Sequence, residues 1–123
     1  MNEKQYSKNN ISPIDCPSVL ERIGGDESFL EELLNLYCED FSEKFEQLQK
    51  AVKEENFKLI LELGHSLKGS STNLSLTFLH EASFQMEKAG KERNIKNAKE
   101  ALDLLEKEFR ILKDFISKKK AKN

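Results

Sequence analysis

At 123 residues the chain has the length of one domain, enough to bury roughly two-thirds of its unfolded surface in a single core. Charged residues make up 34% and apolar ones 37%, with 5 glycines and 2 prolines, a profile that fits helices with solvated faces and argues against many strands. The 20 basic and 22 acidic residues are interspersed to a formal net charge of -2, so there is no broad positive field and nucleic acid is not an expected partner.

The opening residues lack the apolar run of a secretion signal, and no segment approaches the roughly 20 apolar residues of a membrane span, so a cytoplasmic chain is expected, with no membrane partner. Cys16 and Cys38 are too few and too far apart for a Cys/His zinc box and are expected as reduced thiols; no metal is expected. Residues 1–13, with Lys, Asn, Gln and Ser and few apolar anchors, read as a flexible lead to a domain over residues 14–117.

Pro17 is placed to open a short helix carrying Val19, Leu20 and Ile23, which Gly24-Gly25 ends. Asp26 can cap the next helix, in which Leu30, Leu34, Tyr37, Phe41, Phe45, Leu48 and Val52 recur at three- and four-residue steps to about Glu54. Asn56 can cap a third helix, running to about Asn73, and Ser75 is the expected cap of the one after it. That fourth helix, about Leu76 to Lys91, turns Leu79, Ala82, Ser83 and Met86 inward, while His80, Phe84 and Glu87 share another face. The last helix, about Asn94 to Ser117, has Ile95, Ala98, Leu102, Leu105, Phe109, Leu112 and Ile116 as its seam, and residues 118–123 read as a basic, solvated tail. Short links between long helices predict an all-α, antiparallel four-helix bundle with a short additional N-terminal helix. A monomer is expected, though no residue pattern here sets the oligomeric state.

The third helix carries the most informative stretch, His65-Ser66-Leu67-Lys68-Gly69-Ser70-Ser71. Residues on a helix advance by about 100° each, so Ile60, Leu63, Leu67 and Leu74 cluster on one side with the small Gly64 and Ser71, and form the core stripe. His65, Gly69 and Thr72 then fall on the far side, with Lys68 over the next turn on the His65 flank. A glycine costs a solvent-facing helix roughly 1 kcal/mol relative to alanine, so Gly69 implies that something approaches the backbone there. Ser70 and Ser71 read as packing residues.

The stretch resembles the signature of histidine phosphotransfer (HPt) domains, in which His-x-Leu-Lys-Gly-Ser-Ser carries a phosphoryl group between response-regulator receiver domains. It matches at each named position; the resemblance extends upstream to Gly24-Gly25-Asp26 with Phe29 and downstream to Met86-Glu87, covering about Ile14 to Ile116. Two positions depart from the pattern: Ser75 stands where the family often has glycine, and Gly64 where alanine is usual.

The resemblance implies a phosphocarrier in a two-component phosphorelay, with receiver domains and a hybrid histidine kinase as partners. A neutral imidazole is a nucleophile, and His65 is the expected acceptor of phosphate from a receiver aspartate. Lys68 would neutralise phosphoryl oxygens, Gly69 would admit the partner's surface, and Glu87 by resemblance would orient the second ring nitrogen, with Gln85 the weaker candidate. Leu61, Thr72 and Phe84 are the expected partner-binding residues, and His80, which lacks a following lysine and glycine, has a surface or docking role. No glycine-rich phosphate loop or carboxylate cluster for magnesium is present in the sequence, so no cofactor and no ATP-dependent kinase activity are expected. The competing readings are a helical adaptor that binds a receiver or kinase without being phosphorylated, and an enzyme using His65 as general base, for which an exposed helix face supplies neither pocket nor second oriented group.

Overall fold

A computed structural model describes residues 12–121, and among them the chain forms five helices and no strand. The helices are α1 (Cys16–Arg22), α2 (Glu27–Lys53), α3 (Phe57–Asn73), α4 (Thr77–Lys91) and α5 (Ile95–Ala121). The lead expected over 1–13 falls almost wholly outside the described residues. α5 continues to Ala121, four residues past the expected Ser117, because the lysine run does not break the helix. No helix among the described residues is long and apolar enough to cross a membrane.

The helix starts follow from short polar side chains. Asp15, Asp26 and Asn56 each accept the backbone N–H three residues on, and Asn94 does the same for Asn97, so four of the five helices open on a side-chain cap. Gly24 and Gly25, at φ +76° and +79°, make the left-handed turn that separates α1 from α2.

The expected Ser75 cap is not found. Leu76 occupies the cap position of α4 with no side-chain hydrogen bond, while Ser75 lies in the left-handed region at φ +54°. The turn demands this conformation: the Ser75 N–H donates to the Thr72 carbonyl and the Leu76 N–H to the Ser71 carbonyl, closing the end of α3. Glu55 and Arg93 make the same turn after α2 and α4, at φ +54° and +53°. A left-handed residue is needed at position 75, which accounts for the glycine that the family often has there. The Ser75 hydroxyl accepts from Arg22, which also donates to the Asn73 carbonyl at 2.5 Å, and the Asp15 N–H donates to the Ser75 carbonyl, so α1 is clasped onto the α3–α4 turn.

Helices α2 to α5 enclose one core, in which Leu30, Leu48, Ile60, Leu67, Leu79, Met86, Leu105 and Leu112 are almost fully buried. On the α2–α5 side Phe41 stacks on Phe109 at 4.0 Å and on Phe45 at 5.7 Å between ring centroids. On the α2–α3 side the Tyr37 and Ser71 hydroxyls meet at 2.8 Å inside the core. Glu108, which the periodicity of α5 did not assign to its seam, is also buried.

The α3–α4 pair is the closest. A Cβ added to Gly64 would stand 2.6 Å from the Glu87 nitrogen, and one added to Gly90 would stand 2.5 Å from the Leu61 nitrogen. Only glycine lets the two backbones meet at both points. The pairings 64 with 87 and 61 with 90 also show that the helices run antiparallel, and they fix the register between them.

Candidate functional site

That register decides what surrounds His65. The residue after Gly64 projects outward from α3 and is 71% exposed, while Glu87 stands beside it on α4 at 18%. Glu87 Oε2 lies 2.8 Å from His65 Nδ1, and Oε1 lies 2.7 Å from Lys68 Nζ. One carboxylate therefore bridges the imidazole and the ammonium. The Lys68 ammonium paired with Oε1, with the His65 ring adding to it, holds the Glu87 carboxyl below the usual carboxylate range, against a partial burial that acts the other way.

An ionised carboxylate has no proton to give, so Nδ1–H of His65 is the donor. The other ring nitrogen, Nε2, then carries the lone pair. Lys68 is half-buried by its stem, and its ammonium also lies 5.7 Å from the centre of the Phe84 ring. Phe84 is 41% exposed, a large apolar side chain left on the surface next to the lysine.

Gly69 faces open space: a Cβ there would meet nothing within 4 Å. Its place in the helix thus has no explanation in internal packing, in contrast to Gly64 and Gly90. One turn further along, Thr72 Oγ1 donates to the Lys68 carbonyl at 2.9 Å and accepts from His80 Nδ1 at 2.7 Å. His65, Lys68, Gly69 and Thr72 of α3 thus line up beside Glu87, Phe84 and His80 of α4 as one continuous surface strip. Leu61 lies at its far end, partly buried, with its backbone against Gly90. Gln85 does not join it, since its amide donates to Glu81 at 2.7 Å.

Ser70 donates to the Ser66 and Leu67 carbonyls within its own helix, and Ser71 is buried against Tyr37 of α2. Cys16 and Cys38 form no disulfide, and no group of His, Cys, Asp or Glu among the described residues is arranged to hold a metal ion. A cavity of about 230 Å³, lined by Ile14, Leu30, Leu34 and Phe115 together with Glu27 and Lys119 among others, includes none of the strip residues.

Two features of the strip were not legible in the sequence. One is the bridge from Lys68 to Glu87, which spans two helices. The other is the cause of Gly64, whose packing against α4 brings Glu87 within reach; a glycine paired with a second glycine on the following helix is the only signal that pointed to it.

The chain is 31% identical over 72 residues to the phosphorelay intermediate protein YPD1 of Candida albicans, a match covering 58% of this chain and 39% of that protein. It is 30% identical over 110 residues to multistep phosphorelay regulator 1 of Schizosaccharomyces pombe, covering 84% of this chain and 37% of that protein. The matched region is thus less than two-fifths of the length of either relative. The fold is that of histidine-containing phosphotransfer protein B (HptB) from Pseudomonas aeruginosa PAO1, with a TM-score of 0.82 over 92% of this chain and 98% of that one, at 18% identity. A family model described as Hpt domain matches residues 32–115, which include His65, Lys68, Gly69 and Glu87, and the chain belongs to that family.

Proposed function

We propose that the chain is a histidine phosphocarrier: His65 accepts a phosphoryl group from the aspartate of one receiver domain and passes it to the aspartate of another. The observation that carries this reading is the His65 ring, exposed on the surface with Nδ1 2.8 Å from Glu87 Oε2, an arrangement that leaves Nε2 as the nitrogen for a partner. The fungal relatives, named as a phosphorelay intermediate and a phosphorelay regulator, support it. In the forward step the Nε2 lone pair attacks phosphorus as the acyl phosphate bond breaks, and the electron pair leaves on the aspartate carboxylate. Lys68 supplies positive charge to the phosphoryl oxygens, and a docked partner strengthens that effect by excluding water.

Gly69 is proposed to let the receiver approach the helix backbone, and Leu61, Thr72 and Phe84 to contact it around the ring. The carrier works as a cytoplasmic monomer, a hybrid histidine kinase feeds the relay through its receiver, and the receiver brings the metal and the aspartyl phosphate. The test is labelling by a panel of phosphorylated receivers. Acid-labile label should appear on the wild type and on His80→Gln and be absent from His65→Gln, and ATP with magnesium alone should give none. Persistent label on His65→Gln, or labelling by ATP alone, would overturn the reading.

A further inference from the structure

We propose that Glu87 controls how readily the phosphoryl group leaves His65, by holding the Nδ1 proton on the ring while Nε2 is phosphorylated. The inference rests on His65 being the acceptor and concerns the phosphorylated ring rather than the attack that forms it. When Nε2 forms its bond to phosphorus, the ring keeps Nδ1–H and becomes a cation.

From that cation the P–N bond breaks as an acceptor oxygen, from water or a receiver aspartate, bonds to phosphorus; the P–N electron pair returns to Nε2, and the group left behind is a neutral imidazole. If the Nδ1 proton is lost first, the same cleavage has to expel an imidazolate anion, a far poorer leaving group. The proton on Nδ1 therefore decides between a labile and a persistent phosphohistidine, and the Glu87 carboxylate sits 2.8 Å from that nitrogen. An adjacent negative charge favours the protonated ring over the deprotonated one.

The placement is built in. Glu87 is only 18% exposed, and its backbone is pinned against Gly64, so the carboxylate has little room to swing away. Lys68 draws on the same carboxylate at 2.7 Å and moderates its effect. Among the described residues these two, from α4 and α3, are the charged groups that ion pairs bring to the site; Glu62 lies one turn before His65 on α3, and Lys91 one turn after Glu87 on α4. A glutamine at position 87 would still accept the hydrogen bond but would carry no charge, which separates position from electrostatics.

The experiment phosphorylates the whole chain with phosphoramidate, a small donor that needs no receiver, and tracks loss of the phosphohistidine 31P signal from mildly acid to mildly alkaline pH. Decay should slow as pH rises, with the midpoint for Glu87→Gln about one pH unit below that of the wild type. Above both midpoints the variant's phosphohistidine should then survive about tenfold longer. Lys68→Met should move the midpoint upward, since it leaves the carboxylate wholly to the ring; a general disturbance of the fold would not give shifts of opposite sign. Coincident midpoints for wild type and Glu87→Gln, or a higher one in the variant, would overturn the proposal. The carrier reading is judged separately: if receivers fail to label His65 while the midpoints differ as stated, that reading falls and this one stands.

Discussion

Gly64 and Glu87 touch backbone to backbone: a Cβ on Gly64 would stand 2.6 Å from the Glu87 nitrogen and 2.9 Å from its Cα. This contact delivers a carboxylate from α4 to the imidazole one residue along α3, so the site's geometry depends on a residue with no side chain.

The two glycines of α3 should respond in opposite directions. Gly64→Ala forces backbone against backbone and should cost about 1 to 3 kcal/mol, as overpacking does. Gly69→Ala meets nothing and should stabilise the helix by up to about 1 kcal/mol. Urea unfolding measures both, and equal effects would show that the α3–α4 contact is softer than its geometry indicates. Gly69→Leu, whose Cβ likewise meets nothing within 4 Å, should keep the fold and lose transfer from a phosphorylated receiver.

Lys68→Ala should slow receiver transfer by at least tenfold, the order expected when a charge-stabilising group is removed from a phosphoryl site. Helix content by circular dichroism should stay unchanged, because the ammonium lies on the surface strip. A fall in helicity matching the fall in rate would assign Lys68 to folding.

Stability should decline in acid partly through Glu87. Its carboxyl is held below the ordinary 4.5, so its contribution is fully present above that value and is lost as pH falls through the lower folded-state value. Glu87→Gln removes that titration, and its stability should fall less steeply than the wild type's below 4.5. Parallel curves from thermal melts across that range would contradict the assignment.

Tyr37→Phe should cost about 1 to 2 kcal/mol, since it leaves the buried Ser71 hydroxyl without its interhelical partner. Burial also raises the Tyr37 phenol far above its ordinary 10, so the pair is neutral at all ordinary pH values. The double variant Tyr37→Phe with Ser71→Ala should be less destabilised than the sum of the two single changes, and strict additivity would show that the hydroxyls do not interact.

Glu55→Gly should stabilise the chain by about 1 kcal/mol, because the left-handed conformation costs a side chain roughly 1 to 2 kcal/mol and glycine returns part of the gain as unfolded-state freedom. Glu55 is exposed at φ +54°, so it isolates the effect better than Ser75, which holds Arg22, or Arg93, whose guanidinium lies 4.9 Å from the Phe57 ring centre. A shift in the urea midpoint toward lower concentration would refute it.

Helix periodicity alone determined much of this molecule. The apolar steps from Leu30 to Val52 and from Ile95 to Ile116, with Asp26 and Asn56 as caps, place α2, α3 and α5 closely, because side-chain spacing and capping are local properties of the chain. The same angular count put His65 and Gly69 on the solvent side of α3 and Ser71 in the core, where the structure has them. Local rules failed at Ser75, whose type suits a cap but whose backbone is claimed by the turn that ends α3. They were silent on Glu108, where burial depends on what the other helices place opposite it. Above all, only the tertiary structure decided that Glu87 bridges His65 and Lys68, for that depends on the register between α3 and α4. Register is set by backbone contact at Gly64 and Gly90, an interaction between residues remote in the chain that no periodicity within one helix encodes.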